Sequence, residues 1–363
     1  MKTVIIGPGA LGSLFAALLA AGHDSKVHSD QDREGKRAAT RQYIEYGEEP
    51  HSAADKGIGL KAPWNDNDVW LLDHNAARAA RINGKLLLTI GEQEFCRFVR
   101  AGADAAAIGP ADLVLLCVKS RDVAAAIAAA APLFTPHTML ITLQNGIGHL
   151  DVLAQLALPM PPVVGVTAMG ATLKSAGHVC HGGRGVTRIG FLSPPAMELE
   201  RRLADVAVLL QQADIPTEPV ANILDFVWAK LLVNVGINAL TVLYDCPNGE
   251  LLHIPAAREL LVAAVREGEA VARALGIHLP ADPVTQALEV CRATAANISS
   301  MLQDVRRGRP TEIMAINGAL LSRAPRLGIA APVNSDLVAR VRTLEGKRSQ
   351  GSASALSSAY PHT

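Results

Sequence analysis

Lys2-Thr-Val-Ile-Ile-Gly-Pro-Gly-Ala-Leu-Gly12 is the stretch that decides the fold. Its first half, through Ile6, is a short apolar run with β-branched residues, the composition of a buried strand. The second half is Gly7-x-Gly9-x-x-Gly12, which leads into Ser13-Leu-Phe-Ala-Ala-Leu-Leu-Ala-Ala21, an alanine-rich helix closed by Gly22. Three glycines alone are a weak signal. Between a strand and a helix they are a strong one, because they let the backbone turn tightly and approach a pyrophosphate seated on the helix N-terminus. The expectation is an α/β domain of Rossmann type that binds a dinucleotide.

Such a domain needs a second strand whose end reads the adenosine ribose. Lys26-Val-His-Ser-Asp30 has the usual spacing but is short and polar, whereas Asp68-Val-Trp-Leu-Leu-Asp73 is a better buried strand and is followed by a helix start at His74-Asn-Ala-Ala-Arg78-Ala-Ala-Arg81. The second is favoured, and residues 25–67 then read as a polar, glycine-containing insertion on the surface. Asp73 suits ribose hydroxyls and favours NAD; His74, Arg78 or Arg81 suits a 2′-phosphate and favours NADP. The residues leave both open.

Further along, Leu86–Ile90 and Glu94–Val99 read as a hairpin around Gly91, and Asp112–Val118 and Met139–Leu143 as buried strands. The last two end at Lys119-Ser120 and Gln144-Asn145-Gly146. Ligands of open α/β sheets bind beyond the carboxyl ends of the strands, which places Lys119 and Asn145 against cofactor or substrate. Val163–Thr167 and Thr187–Gly190 add further strands, and a helix is expected over Glu198–Ala213.

The chain has 363 residues, too long for one typical core, so two domains are expected. A formal charge of +0 offers no general attraction to nucleic acid or to an anionic membrane surface. The five cysteines are scattered without a Cys-x-x-Cys pair, which fits a reducing cytoplasm and gives no metal-ligand pattern. No apolar run is expected to reach the roughly 18 residues of a membrane-spanning helix, and the first strand leaves no room for a signal peptide.

From about Asn222 the pattern is helical. Asp225-Phe-Val-Trp-Ala-Lys-Leu-Leu-Val-Asn-Val-Gly-Ile-Asn-Ala-Leu240 carries Lys230, Asn234 and Asn238 at i, i+4 and i+8, hence on one helix face. A lysine on a mostly buried helix is unfavourable unless something anionic meets it, and two asparagines in line supply donors and acceptors. That stripe suits a small, anionic, oxygen-rich ligand and a lysine able to release a proton. Cys246–Glu250 reads as a turn and Ala256–Leu275 and Pro283–Met301 as long amphipathic helices, and a further helix continues through Asn317–Leu321. Taken singly, Ser300 and Glu312 read as ordinary helix and first-turn residues.

Together these stretches resemble the ketopantoate reductase (2-dehydropantoate 2-reductase) family. The resemblance rests on Gly7-Pro-Gly-Ala-Leu-Gly12, Leu143-Gln-Asn-Gly146, Trp228-Ala-Lys-Leu-Leu-Val-Asn234 with Asn238, Cys246-Pro-Asn-Gly-Glu-Leu251, and Asn297-Ile-Ser-Ser-Met-Leu-Gln-Asp304 followed by Thr311-Glu312-Ile313. It implies an N-terminal Rossmann-type domain over 1–221 and an all-α domain of the 6-phosphogluconate dehydrogenase C-terminal-like type over 222–345; residues 346–363, rich in Ser, Gly and Ala, read as a disordered tail. It also implies reduction of 2-dehydropantoate by NADPH in the pathway to pantothenate and coenzyme A; separately, the cysteine usage suits a cytoplasmic enzyme and the apolar helical half allows a homodimer. By the same resemblance Lys230 is the catalytic lysine, and Asn234, Asn238, Asn248 and Ser300 are substrate contacts. Asn145 is shared between substrate and cofactor. Gly7, Pro8, Gly9, Ala10, Leu11, Gly12, Ala171 and Glu312 are cofactor contacts, with Lys119 in support. The chain departs from the family in the 25–67 insertion and in having Asp73-His74 where an arginine often follows the second strand.

Overall fold

The structure is a computed structural model that describes residues 1–20, 25–26 and 68–349. It divides into two units, the first made of Met1–Gln144 and Val152–Ile223, the second of Asn145–Asp151 and Leu224 onward.

In the first unit β1 (Lys2–Ile6) enters α1 (Ala10–Leu19) through the glycine turn. The strands β2 (Ser25–Lys26), β3 (Asp68–Leu72), β4 (Leu86–Ile90), β5 (Gln93–Arg97), β6 (Arg100–Gly102), β7 (Leu113–Leu116), β8 (Met139–Thr142), β9 (Val163–Thr167), β10 (Gly170–Ser175), β11 (His178–Gly183), β12 (Thr187–Phe191) and β13 (Thr217–Pro219) follow in chain order. Between them lie α2 (Ala76–Ile82), α3 (Ala105–Ile108), α4 (Val123–Ala129), α5 (Gly148–Leu153) and α6 (Met197–Gln212). The main sheet has the order β13-β12-β9-β8-β7-β1-β3-β6, with every neighbouring pair parallel except β9–β12. β1 is flanked by β3 and β7, so Asp68–Leu72 is the second strand of the dinucleotide-binding fold, as its apolar content favoured. The rival segment at 26–30 lies outside the described residues beyond Lys26, as does the rest of the expected insertion. Leu14, Phe15, Leu71, Leu113, Leu115 and Ile141 are all 0–1 % exposed between sheet and helices. Each such side chain stabilises the fold by about 1.5–3 kcal/mol.

A second sheet, β10-β11-β4-β5-β2, packs against α1. It contains the expected hairpin β4–β5, turned at Gly91, where φ is +58°. The hairpin β10–β11 was not anticipated. Its strands are mostly half-exposed and polar, so they lack the alternation that marks a strand in sequence.

The second unit is built on α7 (Ile223–Tyr244), α8 (Pro255–Ala274), α9 (Pro283–Ala293), α10 (Ser300–Arg306), α11 (Asn317–Leu321) and α12 (Pro332–Ser349). Against the expectation that no apolar run is long enough, α7 qualifies as a membrane span by length and mean hydropathy (1.7); 83 % of that stretch is buried inside the protein, as in a core helix. Gly236 and Gly268 let α7 and α8 close up, since a Cβ would stand 2.8 Å from Val265 Cγ2 at the first and 2.4 Å from Leu232 Cδ2 at the second. A buried amide bracket fixes the other helices: Asn317 Nδ2 donates to Val235 O (3.2 Å) and Asn334 Oδ1 (2.9 Å), and Asn334 Nδ2 donates to Ala264 O (3.0 Å).

Two expectations about this half are corrected. Pro283–Met301 is not one helix; it breaks after Ala293. The intervening carbonyls of Ala295 and Asn297 leave the helix to accept the Gly249 and Asn248 N–H groups at 3.1 and 3.0 Å, and Ser299 starts a new helix by accepting the Leu302 N–H. The tail was expected from Gly346, but α12 continues to Ser349.

Candidate active site

Helix α7 presents the stripe that the spacing predicts. Leu231, Leu232, Val233, Val235 and Ile237 are buried on its other faces. Asn238 is buried and Asn234 half-buried, and neither side-chain amide has a hydrogen-bond partner among the described residues. Side-chain amides with donors and acceptors to spare are groups that a polar ligand satisfies. Burial pushes the Lys230 ammonium down to about 8, while the negative charge of Glu312 pulls it upward.

Glu312 is buried, and its backbone carbonyl accepts the Ala315 and Ile316 N–H groups at 2.9 and 3.0 Å. Its Oε2 accepts Asn145 Nδ2 at 3.3 Å. Asn145 reaches it because the segment Asn145–Asp151 is laid along the 312–316 turn. The Ile147 and Gly148 N–H groups donate to Ala315 O at 3.1 and 3.4 Å, and Gly146, at φ +76°, has no room for a Cβ, which would stand 2.1 Å from Ala315 O. Three distant parts of the sequence thus converge on Lys230, Glu312 and Asn145 within one unit.

At the far end of the stripe Thr241 Oγ1 donates to Asn238 O (2.9 Å) and shares a 2.6 Å hydrogen bond with Ser299 Oγ. Asn248 opens a short 3-10 helix, Asn248–Leu252, and its Nδ2 donates to Thr294 Oγ1 at 2.8 Å. Its Oδ1 is buried with no partner among the described residues. Ser300, singled out from sequence, is exposed at the start of α10, and the buried serine is its neighbour Ser299. Ser299, Thr241 and Thr294 were passed over. Thr241 had a signal, because it lies three residues past Asn238 and so extends the stripe.

In the first unit the three glycines of the turn meet different surroundings. Gly7 has φ +98° and gives its N–H to Leu72 O at 3.1 Å. A Cβ at Gly12 would stand 2.2 Å from Gly7 O, so this glycine seats α1 on the turn. A Cβ at Gly9 would meet nothing within 4 Å. Gly9 is exposed and caps α1, so the open side of the turn faces the N–H groups of the first helical turn, starting at Ala10 and Leu11. Pro8 is buried, with its carbonyl accepting Ser13 Oγ at 3.3 Å. This open, donor-rich corner fits a pyrophosphate. Lys119 follows β7 and its carbonyl accepts the Asp122 N–H at 2.9 Å. Ala171 lies on β10 opposite His181, half-buried against the core.

The sequence matches the family model "Ketopantoate reductase PanE/ApbA" over residues 57–194 and "Ketopantoate reductase PanE/ApbA C terminal" over residues 222–345. It is 33 % identical to the 2-dehydropantoate 2-reductase of Halobacterium salinarum, across 94 % of this chain and 98 % of that protein. The chain belongs to the ketopantoate reductase family. Among solved structures it is similar to a PanE/ApbA family ketopantoate reductase from Ralstonia eutropha JMP134, with a TM-score of 0.76, 28 % identity, and 96 % and 100 % of the two chains covered. A ternary structure of D-mandelate dehydrogenase with NADH and anilino(oxo)acetate shares the fold, at TM-score 0.77 and 23 % identity over 96 % of this chain and 100 % of that one. As a ketopantoate reductase family member the protein is an oxidoreductase, with a Rossmann-type unit and a helical unit.

Proposed function

We propose that this protein reduces 2-dehydropantoate to pantoate with NADPH, that the glycine turn holds the cofactor, and that Lys230 is the proton donor. One observation carries the reading: a desolvated lysine lies near a buried glutamate that an asparagine holds, and two unpaired amides share the lysine's helix face. Bound NADPH supplies the hydride. As the keto carbon is reduced, negative charge grows on its oxygen, and the Lys230 ammonium stabilises that charge and then releases its proton to it. A pKa of about 8 suits the task, because the group is protonated at neutral pH and gives up its proton readily. Asn234, Asn238 and Asn248 offer amides to the substrate carboxylate and hydroxyl, with Ser300 at the exposed edge, and so hold the keto group in place. Glu312 and Asn145 act together: the carboxylate keeps Lys230 charged and the amide keeps the carboxylate in position. In this reading Ala171 and Lys119 contact the cofactor. The five free cysteines support a cytoplasmic setting.

The test is the purified protein with NADPH and 2-dehydropantoate, followed by loss of the reduced-nicotinamide absorbance, beside a panel of other small 2-keto acids. Preferential turnover of 2-dehydropantoate is expected; preference for another keto acid would overturn the substrate assignment.

A further inference from the structure

Asp73 directly follows β3, and Leu72, which ends the strand, accepts the Gly7 N–H at 3.1 Å, so Asp73 stands beside the glycine turn. In dinucleotide-binding folds an acidic residue there reads the ribose hydroxyls of NAD, or an arginine nearby accommodates the 2′-phosphate of NADP. Here the carboxylate is already engaged. The Asp73 side chain is 0 % exposed; Oδ1 accepts the Asn75 N–H at 3.0 Å and Arg78 Nη2 at 2.6 Å, and Oδ2 accepts Arg78 Nε. Burial alone would raise the Asp73 pKa, but the bonds from Arg78 and Asn75 outweigh it and hold it below the ordinary value. The carboxylate is therefore ionised and turned onto Arg78 in a two-pronged pair.

The arginine keeps donors to spare. Its Nη1 has no partner among the described residues, and its side chain is 36 % exposed. The Arg78 N–H is bonded to Asn75 Oδ1 at 2.9 Å, which fixes the backbone under the guanidinium. The two other basic candidates are held differently. Arg81 is exposed and turns back onto Ala77 O at 3.4 Å, and His74 is 89 % exposed, with Asp73 Oδ1 3.6 Å away.

We propose that Arg78 selects NADPH over NADH by meeting the 2′-phosphate, and that Asp73 is a positioning residue that holds the guanidinium rather than a reader of ribose hydroxyls. This rests on the NADPH reading above. The neutral pair removes the repulsion a free carboxylate would exert on a 2′-phosphate, and the unused Nη1 edge supplies the hydrogen bonds.

The test measures Kd for NADP⁺ and for NAD⁺ on the full chain, with kcat/KM for NADPH and NADH on 2-dehydropantoate. Arg78→Gln is expected to lower the NADP⁺-over-NAD⁺ preference by about tenfold or more, with NAD⁺ binding within about threefold of wild type. Arg78→Lys should retain part of the preference. Asp73→Asn should weaken NADP⁺ and spare NAD⁺. Equal loss of both cofactors in Arg78→Gln, or a selective loss of NAD⁺ in Asp73→Asn, would overturn the proposal. The binding arm needs no keto acid: an Arg78-dependent NADP⁺ preference in a protein that leaves 2-dehydropantoate untouched upholds this proposal and overturns the substrate assignment.

Discussion

Lys230 meets two opposed demands. Burial lowers its pKa to about 8, while the proposed reduction of a carbonyl would draw on that same proton. Lys230→Met should therefore separate stability from activity. Turnover is expected to fall by ~10²–10⁴-fold, the usual contribution of a general acid, with NADP⁺ binding retained. Stability to urea should rise by about 1–3 kcal/mol, because an apolar side chain of similar volume replaces a desolvated charge; a loss of stability would mean that the attraction to Glu312 outweighs burial. The sign with pH follows from a folded pKa below the ordinary 10.5. The penalty is full below about 8 and disappears as pH rises to 10.5, so the stability gap between variant and wild type should close across that window. In the reductive direction kcat/KM should fall roughly tenfold per pH unit once pH exceeds about 8, as the donor loses its proton. A profile flat through that range would remove Lys230 from the role.

Among the elements, the turn at 145–148 carries the most consequence for the least sequence. Gly146→Ala adds a methyl 2.1 Å from Ala315 O in a left-handed backbone conformation. The expected result is a stability loss of about 1–3 kcal/mol, together with loss of the Asn145–Glu312 hydrogen bond and a higher KM, read by urea melts and steady-state kinetics. Unchanged kinetics would show that the Asn145–Glu312 contact does not matter to turnover. The elements that were legible in sequence are those with a strong local period or a glycine requirement: β1 and its turn, the buried β3, and the stripe of α7. What escaped has non-local causes. The break after Ala293 exists because Asn248 and Gly249 need the carbonyls of Asn297 and Ala295, and nothing within 283–301 announces it. That Ser299 is buried while Ser300 is exposed turns on one residue about a helix start, where sequence is least informative. Asp73 was visible as a strand-end acid, but its capture by Arg78 is a matter of side-chain geometry.

At the scale of the whole molecule, the long apolar α7 lies mostly buried and serves as the core of the helical unit. The chain passes between the units at 144/145, at 151/152 and again at 223/224. The helical unit therefore contains a short guest segment from the first half, held by Ala315, Glu312 and Arg323, whose Nη2 donates to Asp151 at 2.8 Å. Fragments 1–223 and 224–363, co-expressed as separate chains, are expected to co-purify; recovery of either fragment alone would show that this anchoring is too weak to matter.

The same threading constrains recombination within the family. A hybrid gene spliced only at residue 223 would import the guest from one parent and its hosts from the other, mismatching the Asn145–Glu312 amide–carboxylate contact. A functional chimera has to carry the 145–151 stretch along with the helices that receive it, so the heritable module here is discontinuous in sequence.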